Sequence, residues 1–151
     1  MKRCRIHILS VLLICLSCPA LLYAATEHSV SIEKLKVEYA EMPLGIDVEK
    51  PRFSWQMVMQ NTERGYSQKA YQITVTDEAG QTVWDSGRVS SDLSLNIEYA
   101  GAPLQPITCY FWTVNVWNQK GEQSSSTSWF ETGLMSKANP YEGWSDAKWI
   151  G

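Results

Sequence analysis

Leu104-Gln-Pro-Ile-Thr-Cys-Tyr-Phe-Trp-Thr-Val-Asn-Val-Trp-Asn-Gln-Lys-Gly121 decides the fold of this chain. Leu104, Pro106 and Tyr110 precede an alternating run in which Tyr110, Trp112, Val114 and Val116 share one face. That face repeats every second residue, as in a half-buried strand. The spacing predicts a corner between two β-sheets. Leu104 plugs the edge of the interior, Pro106 fixes the bend, and the Tyr110 hydroxyl bonds backbone across it. Asn118 to Gly121 ends the strand in a turn. A corner of this kind belongs to a scaffold rather than to a catalytic site.

The same alternation continues outward. Ala70 to Thr76 places Tyr71, Ile73 and Val75 on one face and Gln72, Thr74 and Thr76 on the other. Asp77-Glu-Ala-Gly80 is a hairpin turn, Gln81 to Asp85 the return strand, and Ser86-Gly87 a break. Ser94 to Tyr99 alternates again. Upstream, Leu35 to Tyr39 and Arg52 to Met57 read as strands, the latter with Phe53, Trp55 and Met57 on one face. The two prolines and the glycine of Pro43 to Pro51 forbid a helix between them. Asn61 to Ser67 is a polar loop, and Ser128 to Thr132 closes the series. About seven short strands at turn-marked intervals predict an all-β fold. Its expected form is a fibronectin type III or immunoglobulin-like antiparallel β-sandwich. The expected interior is Leu35, Val37, Trp55, Tyr71, Ile73, Val75, Leu95, Ile97, Leu104, Tyr110, Trp112, Val114 and Val116.

The ends have other characters. Lys2, Arg3 and Arg5, an apolar run from Ile8 to Leu16, and Ala20, Ala24 and Ala25 form the pattern of a cleaved secretory signal over residues 1–24. The run is too short to span a bilayer. The expected destination is therefore periplasmic or extracellular. Acylation of Cys18 is the alternative, disfavoured by Cys15 in place of an aliphatic residue and by Pro19 directly after the modified position. Residues 25–34 read as a flexible lead, 35–133 as the sandwich, and 134–151 as a linker into the start of a further domain. Loss of the signal removes three basic residues and no acidic ones. Of 13 Lys plus Arg, ten then remain against 16 Asp plus Glu, a net charge of −6. That balance argues against nucleic acid and anionic membrane as partners. Three of the four cysteines lie in the signal, and Cys109 alone remains, so the mature domain has no internal disulfide. About 125 residues suffice for one hydrophobic core.

Several short motifs occur in a telling order: Pro43-Leu-Gly-Ile-Asp47, Pro51-Arg-Phe-Ser-Trp55, Gln68-Lys-Ala-Tyr71, Trp84-Asp-Ser-Gly87, Phe130-Glu-Thr-Gly-Leu134 and Ala147-Lys-Trp-Ile-Gly151. Together they resemble the N-terminal fibronectin-like domain of bacterial α-L-rhamnosidases, over roughly Leu35 to Gly151. The resemblance implies a multidomain glycoside hydrolase in which a jelly roll, a helical barrel and a further sandwich follow. It implies hydrolysis with inversion by a general acid and a general base that activates water. Those carboxylates would lie in the barrel, so the resemblance carries no catalytic residue onto this sequence. Downstream domains of a rhamnosidase are the implied partners in cis.

The residues themselves offer little catalytic chemistry. His28, the single histidine left after the signal, sits in the lead without partners for a metal or a triad. Asp77, Glu78, Asp85, Glu98 and Glu131 read as turn or surface carboxylates, and Arg52 and Arg64 as surface ion-pair partners. Gly80, Gly87 and Gly101 have turn spacing and no following helix to form a phosphate loop. No cofactor and no metal are expected. The tryptophans leave three readings open, of which plain core or edge packing is one. Trp84, Trp117 and Trp129, facing outward or lying at sheet edges, suit contact with a neighbouring domain. Alternatively they stack on sugars such as rhamnose-containing glycans, as in a stand-alone carbohydrate-binding module. Trp144 and Trp149 read as anchors of the linker on the next domain.

Overall fold

The computed structural model describes residues 30–59 and 65–135. The expected signal, His28, Cys18, Arg64, Trp144 and Trp149 lie outside the described residues. Seven strands are present: β1 (Val30–Val37), β2 (Arg52–Met59), β3 (Gln68–Asp77), β4 (Thr82–Asp85), β5 (Ile97–Glu98), β6 (Cys109–Asn118) and β7 (Gln123–Glu131). They form two antiparallel sheets, β1-β2-β5 and β4-β3-β6-β7. The all-β sandwich expected from the alternation is the fold.

Both hairpin turns of the larger sheet use one device. Asp77 Oδ1 accepts from the backbone N–H groups of Ala79 and Gln81 at 3.0 and 2.8 Å. Asn118 Oδ1 accepts from those of Lys120 and Glu122 at 2.9 and 3.0 Å. A glycine closes each turn in the left-handed region, Gly80 at φ 78° and Gly121 at φ 80°.

Between the sheets, aromatic rings interlock. Phe53 lies 4.8 Å from Trp112 and 6.0 Å from Phe130, ring centre to ring centre. Phe130 stacks on Tyr110 at 5.4 Å, and Trp55 meets Tyr71 edge-on at 5.4 Å. Ile73, Val75, Val114 and Val116 fill the space between them. The buried Gln68 is fully used: its Oε1 accepts from the Trp55 indole N–H at 3.0 Å, and its Nε2 donates to the carbonyls of Ser91 and Leu93. Trp112 differs. Its buried indole N–H finds no acceptor among the described residues.

The corner forms as its spacing predicts. Leu104 is buried, and the Tyr110 hydroxyl accepts a hydrogen bond from the Gln105 backbone N–H at 2.8 Å.

Three expectations change. First, β1 begins at Val30, inside the stretch read as a flexible lead. Val30 and Ile32 point inward, then Lys34 adopts φ 48° and the register with β2 shifts between Glu33 and Lys36. This bulge lets Leu35 and Val37 point inward too, so the strand holds two alternating runs out of phase. Second, Leu95 is not in the core but 63% exposed. Asn96 at φ 56° breaks the alternation, β5 shrinks to two residues, Ile97 is half-buried, and Tyr99 takes the interior place. Third, β7 starts at Gln123. Its serine-rich first half carries no apolar signal, and continuous pairing with β6 holds it in place. Ile46 and Phe130 also join the core, which the sequence reading left out.

Candidate functional site

The most elaborated region of the molecule is the end where β7 leaves the sandwich. Its last residue, Glu131, continues through Thr132 and Gly133 to Met135. On one side lies the strip Pro43–Asp47. The Glu131 N–H donates to the Pro43 carbonyl, the Ile46 N–H to the Glu131 carbonyl, and the Gly133 N–H to the Ile46 carbonyl, all at 2.8–2.9 Å. Ile46 and Thr132 form a parallel bridge. On the other side lies the corner. The Thr132 N–H donates to the Thr108 carbonyl at 3.0 Å, and the Ile107 N–H to the Gly133 carbonyl at 2.9 Å. The Thr132 side chain, wholly buried, donates to the Gln105 carbonyl at 2.7 Å and accepts from the Thr108 N–H at 3.0 Å. Finally, the Asp47 carboxylate accepts from the Met135 N–H at 2.8 Å. Gly133 has no room for a side chain, because a Cβ there would stand 2.5 Å from Asp47 Oδ1. Two of the ordered sequence motifs, Pro43–Asp47 and Phe130–Leu134, are therefore the two halves of one clamp.

The tryptophans part company. Trp84 lies on the edge strand β4, but its ring turns inward, 5.9 Å from Phe53 and 5.1 Å from Tyr99. Gly101 abuts it, since a Cβ there would lie 2.5 Å from both Trp84 Cβ and the Tyr99 hydroxyl oxygen. Burial pushes that hydroxyl up to about 12, with a smaller contribution from Tyr110. Trp117 and Trp129 lie on the outer face of the larger sheet, at opposite ends of it. Trp117 pairs with Gln123, and the Arg88 guanidinium covers its ring at 4.4 Å. Trp129 pairs with the exposed Phe111. Between them the face is neutral and polar: Thr113 and Thr127 share a hydrogen bond at 2.9 Å, and Gln123 donates to Asn115 at 3.0 Å. Trp84, Trp117 and Trp129 do not converge.

The carboxylates serve local structure. Asp77 organises its turn. Glu78 accepts from the Cys109 N–H at 3.2 Å. Asp85 accepts from Gln72 and from the Gly87 N–H, both at 2.8 Å. Glu98 pairs with Lys50 at 3.5 Å on the surface. The strongest ion pair joins Glu38 and Arg52 through two parallel contacts of 3.0 and 2.7 Å. The Arg52 hydrogen bond holds the Glu38 carboxyl below the usual carboxylate range. Sequence reading had left Arg52 as a generic surface partner and had not singled out Glu38. Burial, then the charges of Glu78 and Glu131, push the Cys109 thiol up, so it is a poor nucleophile. Among the described residues, no group of three His, Cys, Asp or Glu side chains is placed to hold a metal ion. Nor is any helix long and apolar enough to cross a membrane.

A sandwich filled by rings, with its polar groups spent on turns and on a clamped exit, defines the class: an antiparallel β-sandwich module. Comparison with known proteins gives the particular family. Residues 32–136 match the family described as Rha78A-like, N-terminal immunoglobulin domain. The α-L-rhamnosidase of Streptomyces avermitilis is 48% identical over 120 residues, which is 76% of this chain and 11% of that protein. One α-L-rhamnosidase of Formosa agariphila is 33% identical over 132 residues, 82% of this chain and 13% of that one. The crystal structure of the Streptomyces avermitilis enzyme complexed with L-rhamnose superposes with a TM-score of 0.65 at 45% identity, over 70% of this chain and 11% of that one. That of the α-L-rhamnosidase from Dictyoglumus thermophilum also gives 0.65, at 37% identity, over 76% and 13%. The chain belongs to this family of rhamnosidase N-terminal immunoglobulin-like domains. It spans only about 11–13% of the length of these relatives, and the catalytic domain lies outside it.

Proposed function

We propose that the chain is the non-catalytic docking module of an exported α-L-rhamnosidase, an enzyme that hydrolyses terminal α-L-rhamnosyl residues. The clamped exit carries this reading. The eight backbone and side-chain hydrogen bonds described above fix Glu131 to Met135 in direction, an investment with a clear use if a further domain must be held at a set angle. The filled interior agrees, since the aromatic and aliphatic side chains of the two sheets occupy the space a substrate would need. The test is an assay of the purified 151-residue chain on an aryl α-L-rhamnoside. The expected rate equals that of a buffer control, and turnover above it overturns the proposal.

Export rests on Lys2, Arg3 and Arg5, the apolar run to Leu16, and Ala24 and Ala25. Expression in a bacterium with intact secretion should yield a product starting at Ala25 or Thr26 by mass spectrometry; an intact Met1 in the folded product overturns it. Stand-alone carbohydrate binding is the weaker reading. Trp84 is turned inward and Trp117 lies under Arg88, so the candidate tryptophans among the described residues present no row of bare rings. Tryptophan fluorescence should stay flat up to millimolar rhamnose, and a saturable change would restore that reading.

A further inference from the structure

The two segments that grip the exit also carry exposed apolar side chains. Leu44 and Ile107 are each 70% exposed and Met42 51%. Part of the backbone around them is strained. Met42, Ile107 and the exit residue Met135 all sit in the left-handed region, at φ 47°, 50° and 52°. For a β-branched residue this is a real outlier. Within this domain Ile107 receives no burial in exchange. Strain held where an apolar side chain is displayed, beside a pinned exit, marks a surface prepared for contact. The opposite end contrasts with it. There Gln119 donates to the Gly65 carbonyl and accepts from the Ser67 N–H, and the turn uses Gly121, which holds its left-handed conformation without strain.

The family sits at the N-terminus of proteins some eight to nine times longer than the matched stretch. In them the polypeptide leaves this domain by the clamped segment. We infer that the domain following residue 135 in such a rhamnosidase seats on Met42, Leu44 and Ile107, with the clamp setting its orientation. This rests on the docking-module reading above and adds to it a definite surface. The outer face of the larger sheet, with Phe111 and Trp129, is then not the seat.

The experiment replaces the N-terminal immunoglobulin domain of the Streptomyces avermitilis α-L-rhamnosidase with residues 30–135 of this chain. Amide hydrogen exchange is compared between that chimera and the isolated 151-residue chain. Exchange at residues 42–48 and 105–108 should slow at least about tenfold in the chimera. Leu44→Ser with Ile107→Ser should abolish the slowing while leaving the melting temperature of the isolated chain unchanged or higher. Phe111→Ser with Trp129→Ser should leave the slowing intact. An active chimera without slowing at these residues overturns this proposal alone. So does slowing that survives the first pair of substitutions, or is lost with the second. A chimera that neither hydrolyses an aryl rhamnoside nor shows slowing overturns the docking-module reading as well. Slowing that appears in the isolated chain as its concentration rises assigns the surface to a second copy and overturns the proposal too.

Discussion

Between the sheets, Phe53, Trp55, Trp112 and Phe130 are sealed from water, each ring against another. At the exit end, Leu44 and Ile107 have the same apolar character and stand mostly in solvent, Ile107 on backbone held in the left-handed region. The first set stabilises the fold through burial, at about 1.5–3 kcal/mol for each fully enclosed large side chain. The second set contributes little to it. Apolar composition alone therefore does not report on core formation here. Ile107 shows the contrast most plainly, being apolar, exposed and held in the left-handed region.

The contrast can be broken most forcefully from the inside. Phe53→Ala opens a cavity between three neighbouring rings and should cost about 3–5 kcal/mol in a denaturant melt. Tyr110→Phe keeps the ring but removes the acceptor of the Gln105 N–H, an expected loss of about 0.5–1.5 kcal/mol by the same measurement. Gly133→Ala pushes the Asp47 carboxylate away from the Met135 N–H and should cost about 1 kcal/mol. In a double-mutant cycle most of that loss should vanish when Asp47 is already alanine.

At the exit surface the sign reverses. Ile107→Asn relieves the left-handed strain and should stabilise the isolated chain by about 0.5–1 kcal/mol, seen as a higher melting temperature. A loss of similar size would mean that Ile107 packs for the fold, and the distinction drawn above would collapse. The smallest effect is electrostatic. Arg52 depresses the Glu38 carboxyl in the folded state, so the contribution of this pair is complete above the ordinary carboxylate range and is lost as pH falls through the depressed value. Glu38→Gln should flatten the pH dependence of stability below about pH 4, slightly, because Arg52 is largely exposed.

The corner was legible because its parts are close in sequence: Leu104, Pro106 and Tyr110 suffice to predict a bond that spans five residues. The strands with unbroken alternation, β3 and β6, were legible for the same reason. The bulge at Lys34 was not, because a single left-handed residue reverses the alternation without any glycine to announce it. Asn96 hid the exposure of Leu95 in the same way. Trp84 looked like a surface ring because β4 is an edge strand, and only its register with Val75 turns it inward. The clamp was half visible. Its motifs at residues 43–47 and 130–134 stood out, but nothing in a linear reading brings Asp47 to Met135, 88 positions away.

The strip Pro43–Asp47 has one more effect. β7 is the last strand of its sheet, and a bare margin of amides and carbonyls there would be a template on which another molecule could add a strand. The strip occupies that margin where it nears the exit, and it opens with a proline, which has no N–H to offer a newcomer. The segment that steers the chain outward thus also guards the sheet against fibrous self-association at that point.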